Sequence, residues 1–131
     1  MIETTDGGET WTVRHTVEVS PGWGWKLSFP TPEVGFVSVE KYDGGPDSII
    51  LKTVDGGRTW TEIVFHGGGG NMQGIGFLTP DTGWVSGRGF TSRTDDGGAT
   101  WTSVPDWGEL DANVNRFVFL EGGLGFAAGH K

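Results

Sequence analysis

The sequence predicts an all-β protein built from repeated units of four short antiparallel strands. Three observations point there. The octet T-x-D-G-G-x-T-W occurs three times, ending on Trp11, Trp60 and Trp101, at spacings of 49 and 41 residues. A period of that length is the mark of a repeat architecture. Glycine supplies 25 of the 131 residues with no collagen period, and it punctuates short apolar runs, as in a turn-rich β chain. Blocks upstream of the octets also align with one another: KLSFPTPEVGFVSV (26–39), GIGFLTPDTGWVSG (74–87) and RFVFLEGGLGFAAG (116–129).

Each block reads as strand one, a turn with Pro or Gly, then a Gly-aromatic pair opening strand two. SIILKT (48–53) and FTSRT (90–94) follow as strand three and lead into an octet. TWTEIVF (59–65) and TWTSVP (100–105) then read as strand four. Four strands in 40 to 45 residues is the pattern of a β-propeller blade.

The octet suits the turn between strands three and four. Asp6, Asp55 and Asp96 can accept hydrogen bonds from backbone N–H groups two or three residues on. The pairs Gly7–Gly8, Gly56–Gly57 and Gly97–Gly98 permit positive φ. Thr10, Thr59 and Thr100 suit β-branched strand positions, and Trp11, Trp60 and Trp101 are expected to enter strand four and cover the sheet. All of these roles are structural.

The expected organisation is one blade over 26–65, a second over 72–105, and a third divided between residues 115–131, which carry strands one and two, and residues 1–13, which carry the rest. From Trp101 through Lys131 to the Trp11 of a following copy is again 41 residues. Propellers have four to eight blades, so three do not close a ring. Edge strands left open at both ends are templates for pairing with another chain. The favoured expectation is head-to-tail self-assembly through complementary half-blades, two copies closing a six-bladed ring. An open filament comes second, and a piece of a longer propeller is the remaining reading.

The octet resembles the Asp-box, or bacterial neuraminidase repeat, of sialidases, xyloglucanases and the sortilin propeller. With GWVSGRGFTSRTDDGGATW (83–101), the chain is most similar to the photosystem II stability/assembly factor family of propellers. The resemblance covers nearly the whole chain. It implies the propeller fold and, for location, an extracytoplasmic setting, while no signal peptide stands at Met1. It also implies that Arg88 and Arg93 sit where that family carries arginines gripping a protein partner. Lys52 and Glu3 occupy the position of Arg93 in the other repeats, so a full basic patch is not repeated.

The formal net charge of −8 argues against nucleic acid and against an anionic membrane surface as partners. No apolar run approaches the ~20 residues of a membrane span. Without cysteine there is no disulfide framework or thiolate metal site. His15, His66 and His130 lack ligand spacing, and Asp43 and Asp47 lack the spacing of a calcium loop, so no metal and no cofactor is expected. HGGGGN (66–71) lacks the G-x-S-x-G elbow a lipase oxyanion loop needs, and the G-K-[ST] of a phosphate loop. It reads as a linker.

The binding face is expected where the strand 4→1 and 2→3 loops gather. Trp23 and Trp25 in SPGWGW (20–25), Tyr42 in EKYDGGPDS (40–48), and Trp107 in PDWGEL (105–110) are its candidate contacts, with Arg88 and Arg93. Exposed tryptophans beside acids suit a protein partner or stacking on sugar rings. A sialidase would need an arginine triad and a tyrosine nucleophile, and no triad is apparent among Arg14, Arg58, Arg88, Arg93 and Arg116. A glucanase would need two opposed carboxylates, and no pairing of acids stands out. The expected function is therefore a non-catalytic scaffold that binds protein and itself. A glycan-binding module, or a fragment of an Asp-box glycoside hydrolase, is the alternative.

Overall fold

The computed structural model describes residues 1–16, 22–41, 45–67, 71–105 and 113–130. Among these residues, twelve strands form four antiparallel sheets. β1 (Ile2–Glu3) pairs with β2 (Thr12–Val13). β3 (Gly22–Ser28), β4 (Gly35–Lys41), β5 (Asp47–Thr53) and β6 (Thr61–His66) make a four-stranded meander. β7 (Met72–Phe77), β8 (Gly83–Gly87), β9 (Phe90–Thr94) and β10 (Thr102–Ser103) make a second. β11 (Asn113–Phe119) pairs with β12 (Gly125–His130). The two-stranded sheets at the chain ends do not pair with each other among the described residues. No helix there is long and apolar enough to cross a membrane.

The middle strands of the first meander alternate with period two, and both of their faces are buried. Phe36 and Ile50 point to one side, where they join Phe65 and the Met72, Ile75, Phe77 and Val85 side chains of the second meander. Val37, Val39, Ile49 and Leu51 point to the other side, under Met1 and Trp60. A core shared between sheets explains why the apolar runs read as near-continuous. β7 packs against β3 and β4 on one side and against β11 on the other, so the first strands of successive sheets lie side by side.

The three octets fold alike. Thr4 Oγ1 donates to Asp6 Oδ1 (2.6 Å) and accepts from the Gly8 N–H (2.9 Å). Thr53 does the same with Asp55 and Gly57 (2.8 and 2.9 Å), and Thr94 with Asp96 and Gly98 (2.7 and 3.0 Å). The same Oδ1 of each aspartate also accepts the backbone N–H of Thr10, Thr59 or Thr100, at 3.0, 2.9 and 2.8 Å. The Oγ1 of the same three threonines donates to Oδ2. Both glycines of every pair have positive φ, between 70° and 100°, which a side chain would strain.

Three expectations are corrected here. The main backbone donors to the aspartates stand four residues on, at Thr10, Thr59 and Thr100, with weaker support from three residues on, Arg58 to Asp55 and Ala99 to Asp96. Thr10, Thr59 and Thr100 lie ahead of the strand and use their hydroxyls, so hydrogen bonding rather than β-branching explains them. Trp11, Trp60 and Trp101 also precede strand four, which begins at Thr12, Thr61 and Thr102. Each indole folds back and donates to the carbonyl of the second glycine, at 3.1, 3.0 and 3.1 Å.

The threonine hydrogen bonds favour the charged aspartates. They hold Asp55 and Asp96 at about 2 and push Asp6 well below its ordinary value, Thr10 being the largest cause there. A carboxylate depressed in the folded state contributes stability above its unfolded value and loses it as pH falls through the folded one. Stability carried by the octets is therefore expected to hold at about pH 5 and to decline between about pH 4 and pH 2. Thermal melts of wild type and Asp55→Asn across that range would check this, the gap between them narrowing as pH falls. Separately, Phe77→Ala is expected to cost about 3–5 kcal/mol in urea unfolding, since it empties a site shared by two sheets.

Candidate interaction surfaces

One aromatic arrangement joins the sheets. Phe77, at the end of β7, stacks on Phe36 of the preceding sheet, with centroids 3.5 Å apart and planes 2° from parallel. The octet tryptophan of its own sheet, Trp101, meets it edge-on at 6.3 Å. Trp101 also packs edge-on against Phe65 of the preceding sheet at 5.6 Å, so it wedges between the two. Phe77 thus has a stacked partner from the sheet before and an edge-on partner from its own.

Repeat alignment places Phe29 and Phe119 at the position of Phe77, and Trp84 and Phe126 at the position of Phe36. Phe119 packs on Trp84 at 5.2 Å, but no octet tryptophan is near it among the described residues. Phe29 has Trp60 edge-on at 6.1 Å, but no stacked partner among them. The two groups that would complete these sites, Trp11 and Phe126, are in the chain and are 56% and 59% exposed. Inner positions follow the same rule. Leu27 is 62% exposed, while its counterparts Ile75 and Phe117 are 2% and 8% exposed. Beside Leu27 and Phe29 runs a largely apolar groove of about 380 Å³, shared with Ile2, Trp11 and Trp60.

A cation accompanies two of the strand-two aromatics. Lys52 lies 5.4 Å from the Phe36 ring and donates to Gly97 O of the next octet at 2.8 Å. Arg93 lies 5.4 Å from the Trp84 ring and pairs with Asp95 at 2.6 Å. Glu3, at the same repeat position, pairs with Arg14 instead.

The predicted binding residues fall in different places. Trp23 and Trp25 were expected in a loop; both lie within β3, because the strand begins at Gly22. Trp23 is opposite Glu40 in the register, and the Trp25 indole donates to the buried Glu40 carboxylate. Arg88 is exposed in the β8–β9 turn, on the expected loop side, whereas Arg93 is near the octet end of β9. Arg93 lies three residues beyond Phe90, roughly 10 Å along β9, and Arg88 lies in the turn before that strand, so the two stand toward opposite ends of β9. Tyr42 and Trp107 lie outside the described residues.

Sequence reasoning missed the first octet threonine, whose signal was its presence in all three copies. It also missed the Asp47–His66 pair, 2.8 Å apart at the open end of the β5–β6 ladder. These two residues are 19 positions apart, and only the strand register brings them together. No cluster of three potential metal-ligating side chains occurs among the described residues.

No family model and no curated protein matches the chain. Solved structures do. One, "YCF48 bound to D1 peptide", is 22% identical, with a TM-score of 0.52 over 72% of this chain and 29% of that one. Another, the GH74 enzyme of Niastella koreensis, is 19% identical, with a TM-score of 0.58 over 81% of this chain and 19% of that one. The chain thus spans less than a third of either neighbour. At these identities the likeness speaks to fold, and it agrees with the four-stranded meanders stacked through their first strands: the chain is a set of β-propeller blades.

Proposed function

We propose that this chain is a non-catalytic propeller scaffold that assembles with copies of itself through complementary half-blades and binds a protein on its loop face. The observation that carries the reading is the contrast between equivalent positions. Positions covered between the two whole blades are exposed elsewhere, at Leu27 and Phe29 on the first blade and at Trp11 and Phe126 on the half-blades, and the repeat alignment gives the two half-blades complementary pairs of strands. Two copies would make six blades, within the range of closed propellers. A heterologous contact whose angle does not close would give a filament instead.

Two further points support a scaffold. The octet aspartates are committed to their own turns, so these recurrent acids are poor candidates for paired catalytic carboxylates. A propeller of related fold is known with a peptide bound, although the identity is too low to transfer residues. The second reading, glycan binding, is favoured by Trp23, which is 64% exposed beside Trp25 on β3.

Light scattering after size exclusion is expected to give twice the 14.0 kDa chain mass. A large polydisperse mass would favour the filament, and a folded monomer would overturn self-assembly. Tryptophan fluorescence titrated with a glycan panel is expected to stay unquenched, and quenching would move the assignment to the glycan reading. No turnover is expected on β-glucans or sialosides; hydrolysis of either would refute the non-catalytic assignment.

A further inference from the structure

Resting on the self-assembly reading, we infer the register and the aromatic contacts of the junction: β12 of one copy adds to the free edge of β1 in the next, with Ala127 opposite Ile2, Phe126 stacked on Phe29 of the next copy, and Phe119 capped by its Trp11.

The register follows from the two whole blades. In the first, Gly35 faces Thr53, Phe36 faces Lys52 and Val37 faces Leu51. In the second, Gly83 faces Thr94, Trp84 faces Arg93 and Val85 faces Ser92. The aligned positions at the ends are Gly125 with Thr4, Phe126 with Glu3, and Ala127 with Ile2. The turn contact transfers the same way. Gly56 N–H donates to Glu33 O and Gly97 N–H to Asp81 O, both at 2.8 Å. Gly7 N–H then donates to Gly123 O of the other copy. Side-chain alternation makes this register selective, since a slip of one residue turns every contact to the wrong face.

The ring contacts name the occupant. A strand-one aromatic takes its stacked partner from the blade before and its edge-on partner from its own octet, as Phe77 does in full. Phe119 lacks the second and Phe29 the first among the described residues, and the chain itself carries Trp11 and Phe126 exposed. The junction therefore continues the interfaces already present between β4 and β7 and between β8 and β11. Charge agrees. Lys52 donates to the octet of the following blade, and Arg93 holds the same repeat position one blade later. Across the junction that position faces the acidic turn bearing Asp6 and Glu9 of the next copy. A second copy supplies strand register, aromatic partners and charge together.

The chain has no cysteine, so introduced pairs can be read without background. The double variant Ile2→Cys, Ala127→Cys is expected to oxidise to a closed covalent dimer on non-reducing gels. A covalent ladder also supports the register, in an open filament. The off-register pair Glu3→Cys, Ala127→Cys is expected to stay unlinked. Phe126→Ala, which removes a side chain exposed within its own copy, is expected to leave each chain folded by circular dichroism while weakening association by about 30-fold or more. An internal disulfide in a monomer would overturn the inference. So would the absence of a disulfide in protein whose wild type is a dimer by light scattering, and that result would leave self-assembly itself standing. A monomeric wild type would overturn the underlying reading as well.

Discussion

A blade of four short strands has two apolar faces and can cover neither alone. Everything else in this chain follows from that constraint. The first meander buries one face under the second meander and the other under Met1 and Trp60, and its middle strands are apolar on both sides as a result. The aromatic at the end of strand one is the most demanding case, because its two faces are served by different blades. Phe77, with Phe36 on one side and Trp101 on the other, shows what a satisfied site looks like. Phe29 and Phe119 each show one of these two contacts without the other among the described residues.

The division between legible and illegible features follows sequence distance. The strands were readable because each is short, punctuated and repeated, and β4, β5, β8, β9 and β12 begin close to where the glycine and aromatic spacing put them. The octet was legible as a turn, but its bonding was not. A general rule for aspartate turns gives a span of two or three residues, and here the main backbone bond comes from four residues on, with a weaker one from three residues on at Asp55 and Asp96. The tryptophans followed a similar course. Their type signals sheet coverage, yet an indole that must reach its own glycine carbonyl is held just outside the strand.

The binding residues were the least legible. Trp23 and Trp25 stand ahead of the aligned block that opens at Lys26 and so read as loop, but the ladder to β4 reaches back to Gly22 and draws both into β3. Arg88 and Arg93 look adjacent in the sequence and stand near opposite ends of β9 because a strand spaces its residues widely. The partnership of Asp47 with His66 depended on a hairpin register that spacing alone does not reveal.

The octet turn closes within eight residues, and it does so in the same way at Thr4–Trp11, where only two strands are present, as in the whole blades. Its order is therefore local and owes little to the stack around it. Closing so short a loop costs little chain entropy, and local contacts form fastest in folding. The chain thus has three equivalent places from which folding can begin, each fixing the register of one hairpin before distant blades meet.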